Sequence, residues 1–200
     1  MVKILHIGCS SVRLPYDDIE EVRLDINPYE QPDIVYDICE LDSLEGDAYD
    51  GVWASHVLEH VYEYQMDKVL KGICHVLKKD GFLFVKVPDM KAVMREIIKN
   101  GMALDDLLYI SHSGLEVRPI DIIYGHKREV ERLHSYQSHK TGFDSDLLLK
   151  SLSRAGFHRN YVGVDNCEVR VLSMKSDRVH EWLKDKFFLT EKIDEQVKVL

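Results

Sequence analysis

The segment KILHIGCSS (residues 3–11) and the later Asp25 together indicate the architecture of this chain. A short apolar run ends in Gly8, and an acid closes the next apolar run 17 residues further on. A strand that ends in glycine lets a ligand approach the backbone, and an acid at the end of the neighbouring strand can accept two ribose hydroxyls. The pattern predicts a nucleotide-type site where two parallel strands end. Because a dinucleotide-binding loop has three glycines and this one has a single glycine, a ligand without a pyrophosphate is favoured.

Composition and charge narrow the class of protein. The 200 residues are 45% hydrophobic and 30% charged, which is typical of one soluble domain spanning residues 1–200. The net charge of −9 argues against nucleic acid and anionic membranes, because both select a basic surface. No apolar stretch approaches about 20 residues, so we expect no membrane span, no signal peptide and a cytoplasmic location. The four cysteines form no C-x-x-C pair, which argues against a zinc ribbon or a disulfide framework.

Apolar runs and helical patterns alternate along most of the chain. Strands are predicted at residues 3–8, 22–26, 34–36, 49–54, 82–87, 157–164 and 168–174. Helices are predicted over residues 62–77 and 144–155. The order predicts an α/β domain with a doubly wound, mostly parallel seven-stranded sheet and a C-terminal antiparallel hairpin. Ligands collect at the carboxyl ends of such strands.

Two segments fall outside this alternation. Residues 89–142 are interpreted as an inserted lid, with helical spacing at 90–99 and 104–110 and polar, histidine-rich loops elsewhere. Residues 177–200 are predicted to form a charged C-terminal helix with clustered aromatic side chains. We expect this helix either to pack over the sheet or to contact a partner, for example in a homodimer.

Six segments, in this order, resemble class I S-adenosylmethionine-dependent methyltransferases. They are LHIGCSS (5–11), VRLDINP (22–28), YDICEL (36–41), YDGVWASHVLEHV (49–61), VLKKDGFLFVKVPD (76–89) and HKTGFDSDLLLKSLSRAGF (139–157). The chain is most similar to the small type 11 group associated with carbohydrate or cell-surface biosynthesis. The resemblance implies a Rossmann-like methyltransferase fold, S-adenosylmethionine as cofactor, and a small-molecule or glycan acceptor that is methylated at oxygen. The first motif departs from the family pattern, since Ser10 and Ser11 stand where glycines normally follow.

The resemblance also implies a set of cofactor contacts. From the methionine end to the adenine edge, they are His6, Gly8, Cys9, Ser55, Asp25, Ile26, Asp37 and Ile38. In this set Asp25 would accept the ribose hydroxyls and Ile26 would lie along the adenine. An isolated aspartate after a strand is also a common helix cap, and Asp37 fits either role.

The chemistry of methyl transfer asks little of the protein beyond alignment. A sulfonium is already an activated electrophile, so orientation supplies most of the acceleration. A hydroxyl acceptor still loses its proton, and His56 is the first candidate base, with His139 on the lid behind it. For each of them, a histidine that is only bonded into the structure is the alternative.

Residues 56–60 read H-x-x-E-H, which is the inverse zinc-protease pattern and is similar to the E-x-x-E-H of metal-dependent quinone and small-RNA O-methyltransferases. Because His56 replaces the first glutamate, an ion held by His56, Glu59 and His60 would be an imidazole-preferring metal. The favoured interpretation is that no metal binds and that Glu59 and His60 are helix-start residues.

Other charged and histidine residues of the lid give weaker signals. The spacing of His126, His134 and His139 matches no compact metal-ligand pattern. A basic set would suit an anionic acceptor or be merely a solvated face; it comprises Arg118, Lys127, Arg128, Arg132 and Lys140.

The competing class is a non-catalytic cofactor-binding or interaction module. The glycine-poor first motif and the aromatic C-terminal segment support that interpretation. The two classes differ in whether bound S-adenosylmethionine is followed by methyl transfer.

Overall fold

The computed structural model describes residues 1–111, 114–165, 167–186 and 198–199. Its strands are β1 (Val2–Ile7), β2 (Ile19–Asp25), β3 (Ile34–Val35), β4 (Tyr49–Ser55), β5 (Leu77–Pro88), β6 (Tyr109–Ile110), β7 (Glu116–Val117), β8 (Arg159–Asp165), β9 (Glu168–Met174) and β10 (Lys198–Val199). The main sheet has the order β10-β8-β9-β5-β4-β1-β2-β3, and β6 and β7 form a separate hairpin.

The predicted fold class is confirmed. Strands β1 to β5 are mutually parallel where they pair, and β8 and β9 form the expected antiparallel hairpin, which joins the sheet through β5. The seven predicted strands are all present, and the two-residue β10 adds an eighth at the edge. Strand β5 begins earlier than predicted because Leu77 already pairs with Tyr49.

The helices are α1 (Glu63–Val76), α2 (Met90–Asn100), α3 (Pro119–Tyr124), α4 (Lys127–Leu133), α5 (Ser145–Ala155) and α6 (Glu181–Lys186). Helix α1 packs beside α5 and buries Val69, Leu70 and Ile73 completely in the larger core, with Leu5 and Val52 of the sheet. Asp144 caps α5 by accepting the Leu147 N–H at 2.8 Å, as the sequence indicated.

The helix predicted over residues 104–110 is wrong. The Asp106 carboxylate accepts the Ala103 N–H at 2.7 Å and closes a turn, which offers the backbone an alternative to helical bonding. Residues Tyr109 and Ile110 then pair with Val117 and Glu116. The apolar spacing of this segment therefore reflects a turn followed by a hairpin.

The C-terminal helix begins at Glu181, four residues later than predicted. Among the described residues of 177–200, only Glu181–Lys186 are helical, and Lys198–Val199 form a strand. Residues 187–197 and 200, which include much of the predicted helix, lie outside the described part of the chain. Trp182 packs over the sheet, with its ring 5.6 Å from that of Phe82 and its indole N–H donating to Asp18 at 3.1 Å.

The connection between β1 and β2 has no helix, although the spacing of Gly8 and Asp25 predicted a strand-helix-strand unit. Residues 8–18 cross in turns and extended backbone and contribute Leu14 and Tyr16 to a smaller core on the opposite face of the sheet from α1. Pro15 interrupts this segment, and α6 closes over it. One sheet face is thus covered by helices and the other by a loop and α6.

Polar side chains of β2 form hydrogen bonds with the backbone of the β1–β2 crossover, which has no helix to do so. Glu21, Arg23 and Asp25 alternate along the strand and point to the loop side. Glu21 accepts the Leu14 N–H at 3.1 Å, Arg23 donates to the Ser10 carbonyl, and Asp25 accepts the Ser10 N–H at 2.8 Å. The backbone of the crossover is therefore held by side chains of the strand that follows it.

Within the described part of the chain, no helix has the length and apolar character that a bilayer crossing requires.

We expect Trp182→Ala to destabilise the fold by about 3–5 kcal/mol, because the indole is 7% exposed and closes the smaller core. Urea unfolding measures the loss. Ile98→Ala is the control, since Ile98 is 82% exposed, and it should change stability by less than about 0.5 kcal/mol. A loss below about 1 kcal/mol for Trp182→Ala would show that α6 does not cover this face in solution.

Candidate active site

A cavity of about 330 Å³ lies at the carboxyl ends of β1, β2 and β4. This is where ligands bind in parallel α/β sheets, and the volume suits a small molecule. The sequence-predicted residues that line it are Gly8, Asp25, Ile26, Asp37, Ile38 and His56. The cavity is therefore built from the ends of three adjacent strands.

Gly8 forms part of the cavity wall because only glycine fits there. Its φ is +62°, and a Cβ at this position would lie 2.4 Å from Val57 Cγ2. The ends of β1 and β4 can approach each other closely only without a side chain at position 8. Ser10, which follows, also has a positive φ of 46°.

Asp25 ties two loops of the cavity together. One carboxylate oxygen accepts the Ser10 N–H at 2.8 Å and the other accepts the Asn27 N–H at 2.9 Å. The buried Arg23 guanidinium donates to the Gln31 carbonyl at 3.0 Å and to Ser10. Each carboxylate oxygen retains a lone pair that a ligand hydroxyl could use.

Asn27 brings an unused donor to the same wall. The side chain is 6% exposed, and its Oδ1 accepts the Tyr29 N–H at 3.1 Å. Its buried Nδ2 has no hydrogen-bond partner among the described residues, and the residue lines the cavity. A ligand acceptor bound beside this donor would satisfy it. The sequence analysis did not single out Asn27, whose one signal is its position two residues after Asp25.

Asp37 caps a short helix and also lies in the wall of the cavity. Its carboxylate accepts the Cys39 N–H at 2.8 Å and caps the 3-10 helix Ile38–Ser43, and the residue also lines the cavity. Ile38 beside it and Ile26 opposite supply apolar surface.

Four predicted site residues do not line the cavity: His6, Cys9, Ser55 and His139. His6 is buried against Glu21 at 2.8 Å, and burial lowers its pKa despite that carboxylate. The Cys9 thiol lies in the core, where burial raises its pKa to about 11. Ser55 ends β4 opposite Lys86, and His139 packs edge-on against His60.

His56 is held between two carboxylates. Its φ of +52° turns the ring so that Nδ1 lies 3.2 Å from Glu59 Oε1 and Nε2 lies 3.1 Å from Glu168 Oε2. Burial lowers the pKa of His56, but the hydrogen bonds to Glu168 and Glu59 outweigh it and raise the pKa to about 9. The ring is therefore an imidazolium at neutral pH, a state that cannot accept a further proton.

Glu168 joins this histidine to two more cations. Burial raises the pKa of Glu168, but hydrogen bonds from His56, Lys86 and Arg170 together bring it to about 2. The Lys86 ammonium lies 2.8 Å from Glu168 Oε2. The end of β4 is thus connected by charge to β5 and to the hairpin strand β9.

The 89–142 segment is anchored beside the cavity at both ends. Asp89 forms a parallel bridge with Phe143, and the Met90 N–H donates to the Phe143 carbonyl at 2.8 Å. Near its end, the N–H groups of Lys140 and Thr141 donate to the Glu59 carbonyl at 2.8 and 3.1 Å. The Thr141 hydroxyl donates to the Val61 carbonyl at 2.7 Å.

This anchoring brings polar groups to the cavity that the sequence did not indicate. They are Tyr62 and Gln65 from the start of α1, and Tyr136 and Gln137 from the 89–142 segment. His60, which the sequence singled out only within the H-x-x-E-H pattern, also lines the cavity. Of the predicted basic set, Lys140 alone lines the cavity, with its ammonium 5.0 Å from the Tyr62 ring centre. Arg118 is instead paired with Asp121 at 2.8 Å.

Comparison with known proteins agrees with this architecture. Residues 16–85 match the family model described as a methyltransferase domain. No curated protein matches the sequence significantly. The match covers about a third of the chain, so residues 16–85 are similar to a methyltransferase domain, a class whose cofactor is S-adenosylmethionine.

Solved structures share the fold at low sequence identity. A SAM-dependent methyltransferase from Archaeoglobus fulgidus is 15% identical, with a TM-score of 0.56 and 86% of each chain covered. One from Mesorhizobium loti is 16% identical, with a TM-score of 0.54 over 86% of this chain and 90% of that one. The 1,6-didemethyltoxoflavin-N1-methyltransferase of Burkholderia thailandensis, solved with its substrate and S-adenosylhomocysteine, is 15% identical, with a TM-score of 0.53 over 88% and 72%.

We expect the charge of His56 to make stability depend on pH. Below pH 6.5, His56 is protonated in both the folded and the unfolded chain, so its pairing with the two carboxylates stabilises the fold fully. This stabilisation declines as the pH rises and is lost above about 9. Glu168→Gln should lower the pKa of His56, measured by NMR of the imidazole, and flatten the decline in unfolding free energy between pH 6.5 and 9. Glu63→Gln, at an exposed position, should change neither. An unchanged His56 pKa in Glu168→Gln would contradict the pairing.

Proposed function

We propose that the protein transfers a methyl group from S-adenosylmethionine to an oxygen of a small, polyhydroxylated acceptor, such as a sugar or a carbohydrate-linked molecule. The observation that carries the proposal is the cavity at the ends of parallel strands, which is lined by Gly8, Asp25 and Asn27. The buried Asn27 Nδ2 has no hydrogen-bond partner among the described residues. The methyltransferase-domain match over residues 16–85 supports the same chemistry.

The residues of the cavity fit the proposed cofactor. Asp25 offers carboxylate lone pairs to the ribose hydroxyls, and Asn27 Nδ2 offers a donor that is otherwise unsatisfied. Ile26 and Ile38 offer apolar surface for the adenine. Gly8 leaves the backbone open to the methionine end. His6, Cys9 and Ser55 would support this pocket from behind, since they do not line it.

The protein contributes mainly alignment to the reaction. When bound, the cofactor supplies a methyl group on a positively charged sulfur; an oxygen–carbon bond forms as the carbon–sulfur bond breaks, and the electron pair stays on sulfur. Holding the acceptor oxygen in line can supply much of the acceleration. Because His56 is an imidazolium with both nitrogens engaged, we assign it the positioning of Glu59 and Glu168 and not the role of general base.

The acceptor side of the cavity favours a polyhydroxylated molecule. Tyr62 and Tyr136 are about half exposed and can stack on a sugar face, while the amides of Gln65 and Gln137 can both donate to and accept from hydroxyls. Among the described residues that line the cavity, Lys140 is the one lysine or arginine, and the charge of His56 is already paired with Glu59 and Glu168. A strongly anionic acceptor is therefore a weaker fit than a neutral or singly charged one. Since Tyr136, Gln137 and Lys140 belong to residues 89–142, we propose that this segment is the lid over the acceptor.

Calorimetry followed by a transfer assay tests the function. S-adenosylhomocysteine should bind the protein with a stoichiometry of one. Methyl-labelled S-adenosylmethionine should then label a panel of free sugars, sugar nucleotides and glycans as methyl ethers. Transfer confined to amines or thiols would overturn the choice of oxygen. Absence of S-adenosylhomocysteine binding to folded protein would overturn the proposed function. Cofactor binding without methyl transfer to any acceptor would favour a non-catalytic cofactor-binding module and overturn the enzymatic function.

We expect Asp25→Asn to weaken S-adenosylhomocysteine binding by about 1.5–3 kcal/mol, or roughly 10- to 150-fold, because a charged acceptor of hydrogen bonds is lost. Isothermal titration measures the affinity, and urea unfolding checks that the variant is folded. Asp17→Asn is the matched control at an exposed position of the β1–β2 crossover and should leave the affinity unchanged. An affinity within twofold of the parent in folded Asp25→Asn would refute the ribose assignment.

A further inference from the structure

One carboxylate oxygen of Glu59 has no hydrogen-bond partner among the described residues. The residue is 2% exposed and sits in the short turn Leu58–His60 that follows β4. Its Oε1 is paired with His56 Nδ1 at 3.2 Å, whereas Oε2 is buried and has no hydrogen-bond partner among the described residues. A buried, unpaired carboxylate oxygen is costly unless a cation meets it.

Two histidine rings stand beside this carboxylate. His60 and His139 have ring centres 4.9 Å apart, and one ligand atom from each, together with one from Glu59, fall within 4.8 Å of one another. The rings come from distant parts of the chain and are brought together by the bonds of Lys140 and Thr141 to the Glu59 carbonyl. In an ion-bound site with ligand bonds of 2.0–2.2 Å, tetrahedral ligand atoms lie about 3.3–3.6 Å apart, so only small side-chain movements are needed.

Both rings are oriented in the way metal-binding histidines are. His60 Nδ1 lies 3.2 Å from the Ser138 carbonyl, and His139 Nδ1 lies 2.6 Å from the Ile122 carbonyl. A carbonyl oxygen can only accept, so each Nδ1 must carry the proton. In the neutral ring, Nε2 then has a free lone pair, and a backbone carbonyl behind the distal nitrogen is the usual support of a metal-bound imidazole.

We propose that Glu59, His60 and His139 bind one divalent transition-metal ion, such as zinc or cobalt, at the edge of the active-site cavity. Two imidazoles and one carboxylate suit these ions better than magnesium, which prefers oxygen ligands. Three protein ligands leave at least one coordination position open. This set differs from the one that the H-x-x-E-H pattern indicated, because His56 has both nitrogens engaged and serves to orient Glu59.

The location gives the ion a role in catalysis, and this part of the inference rests on the proposed function. His60 lines the cavity, so the open position would face the acceptor. An acceptor hydroxyl bound there would have a lowered pKa, and its proton would pass to water as the oxygen attacks the methyl group. The ion would thereby promote loss of the acceptor proton, a step to which the proposed function assigns no general base.

Cobalt titration of the full, untagged chain, freed of metal by a chelator, tests the site. We expect one Co²⁺ per chain, with visible absorption typical of four- or five-coordinate cobalt, and displacement by zinc. His139→Ala and the near-isosteric Glu59→Gln should each weaken cobalt binding at least about tenfold. His158→Ala, which removes an exposed histidine elsewhere, should leave binding unchanged. Magnesium in equal amount should not displace cobalt.

Several outcomes would overturn the proposal. One is the absence of stoichiometric cobalt binding. Another is full cobalt affinity in folded His139→Ala and Glu59→Gln. A third is a loss of cobalt affinity in His158→Ala equal to that in those two variants. Displacement of cobalt by equimolar magnesium would refute the assigned ion class. If one variant fails to fold by circular dichroism, the other still decides. S-adenosylhomocysteine binding is measured separately in the same proteins, so a failed metal site and a failed methyltransferase function give different results.

Discussion

The structure depends on the polar alternation of β2, in which Glu21, Arg23 and Asp25 face the loop that joins the first two strands. A parallel connection normally satisfies its own backbone groups with a helix. Here the crossover has none, and side chains of the next strand bond to Leu14 and Ser10 in its place. Because Asp25 also holds Asn27, the same carboxylate fixes both loops that border the cavity. Without a helix in this connection, the shape of the cavity depends on a few buried charges.

The second organising feature is the charge network that begins at His56. A histidine at the end of β4 looks like a base in the sequence, yet two carboxylates make it a cation. Its contribution is structural: it holds one oxygen of Glu59, and a ligand atom of that carboxylate lies within 4.8 Å of ligand atoms of His60 and His139. The catalytic role that the sequence suggested for His56 is therefore proposed for an ion held by Glu59, His60 and His139. His139 lies about 80 residues further along the chain.

Much of the fold follows from local patterns, and the site only in part. The strands and helices α1 and α5 were predictable because their apolar spacing coincides with burial on one face. The helix predicted over residues 104–110 was wrong because the helical spacing of its leucines does not reveal that Asp106 closes a turn. The strand ends gave Gly8, Asp25 and Asp37, whose positions are fixed by topology. Tyr136, Gln137 and the pairing of His139 with His60 depend on backbone bonds between distant segments, which no sequence spacing records.

The bridge between Asp89 and Phe143 has a wider consequence for how such a protein can change. The stretch between them leaves the sheet and returns to it at the same place, so its length and composition are uncoupled from strand register. Loops that leave a rigid framework in this way tolerate insertion and replacement. The interior of this stretch can accordingly be exchanged, and with it the lining from Tyr136 to Lys140, while the cavity wall built by the ends of β1 and β2 is inherited unaltered.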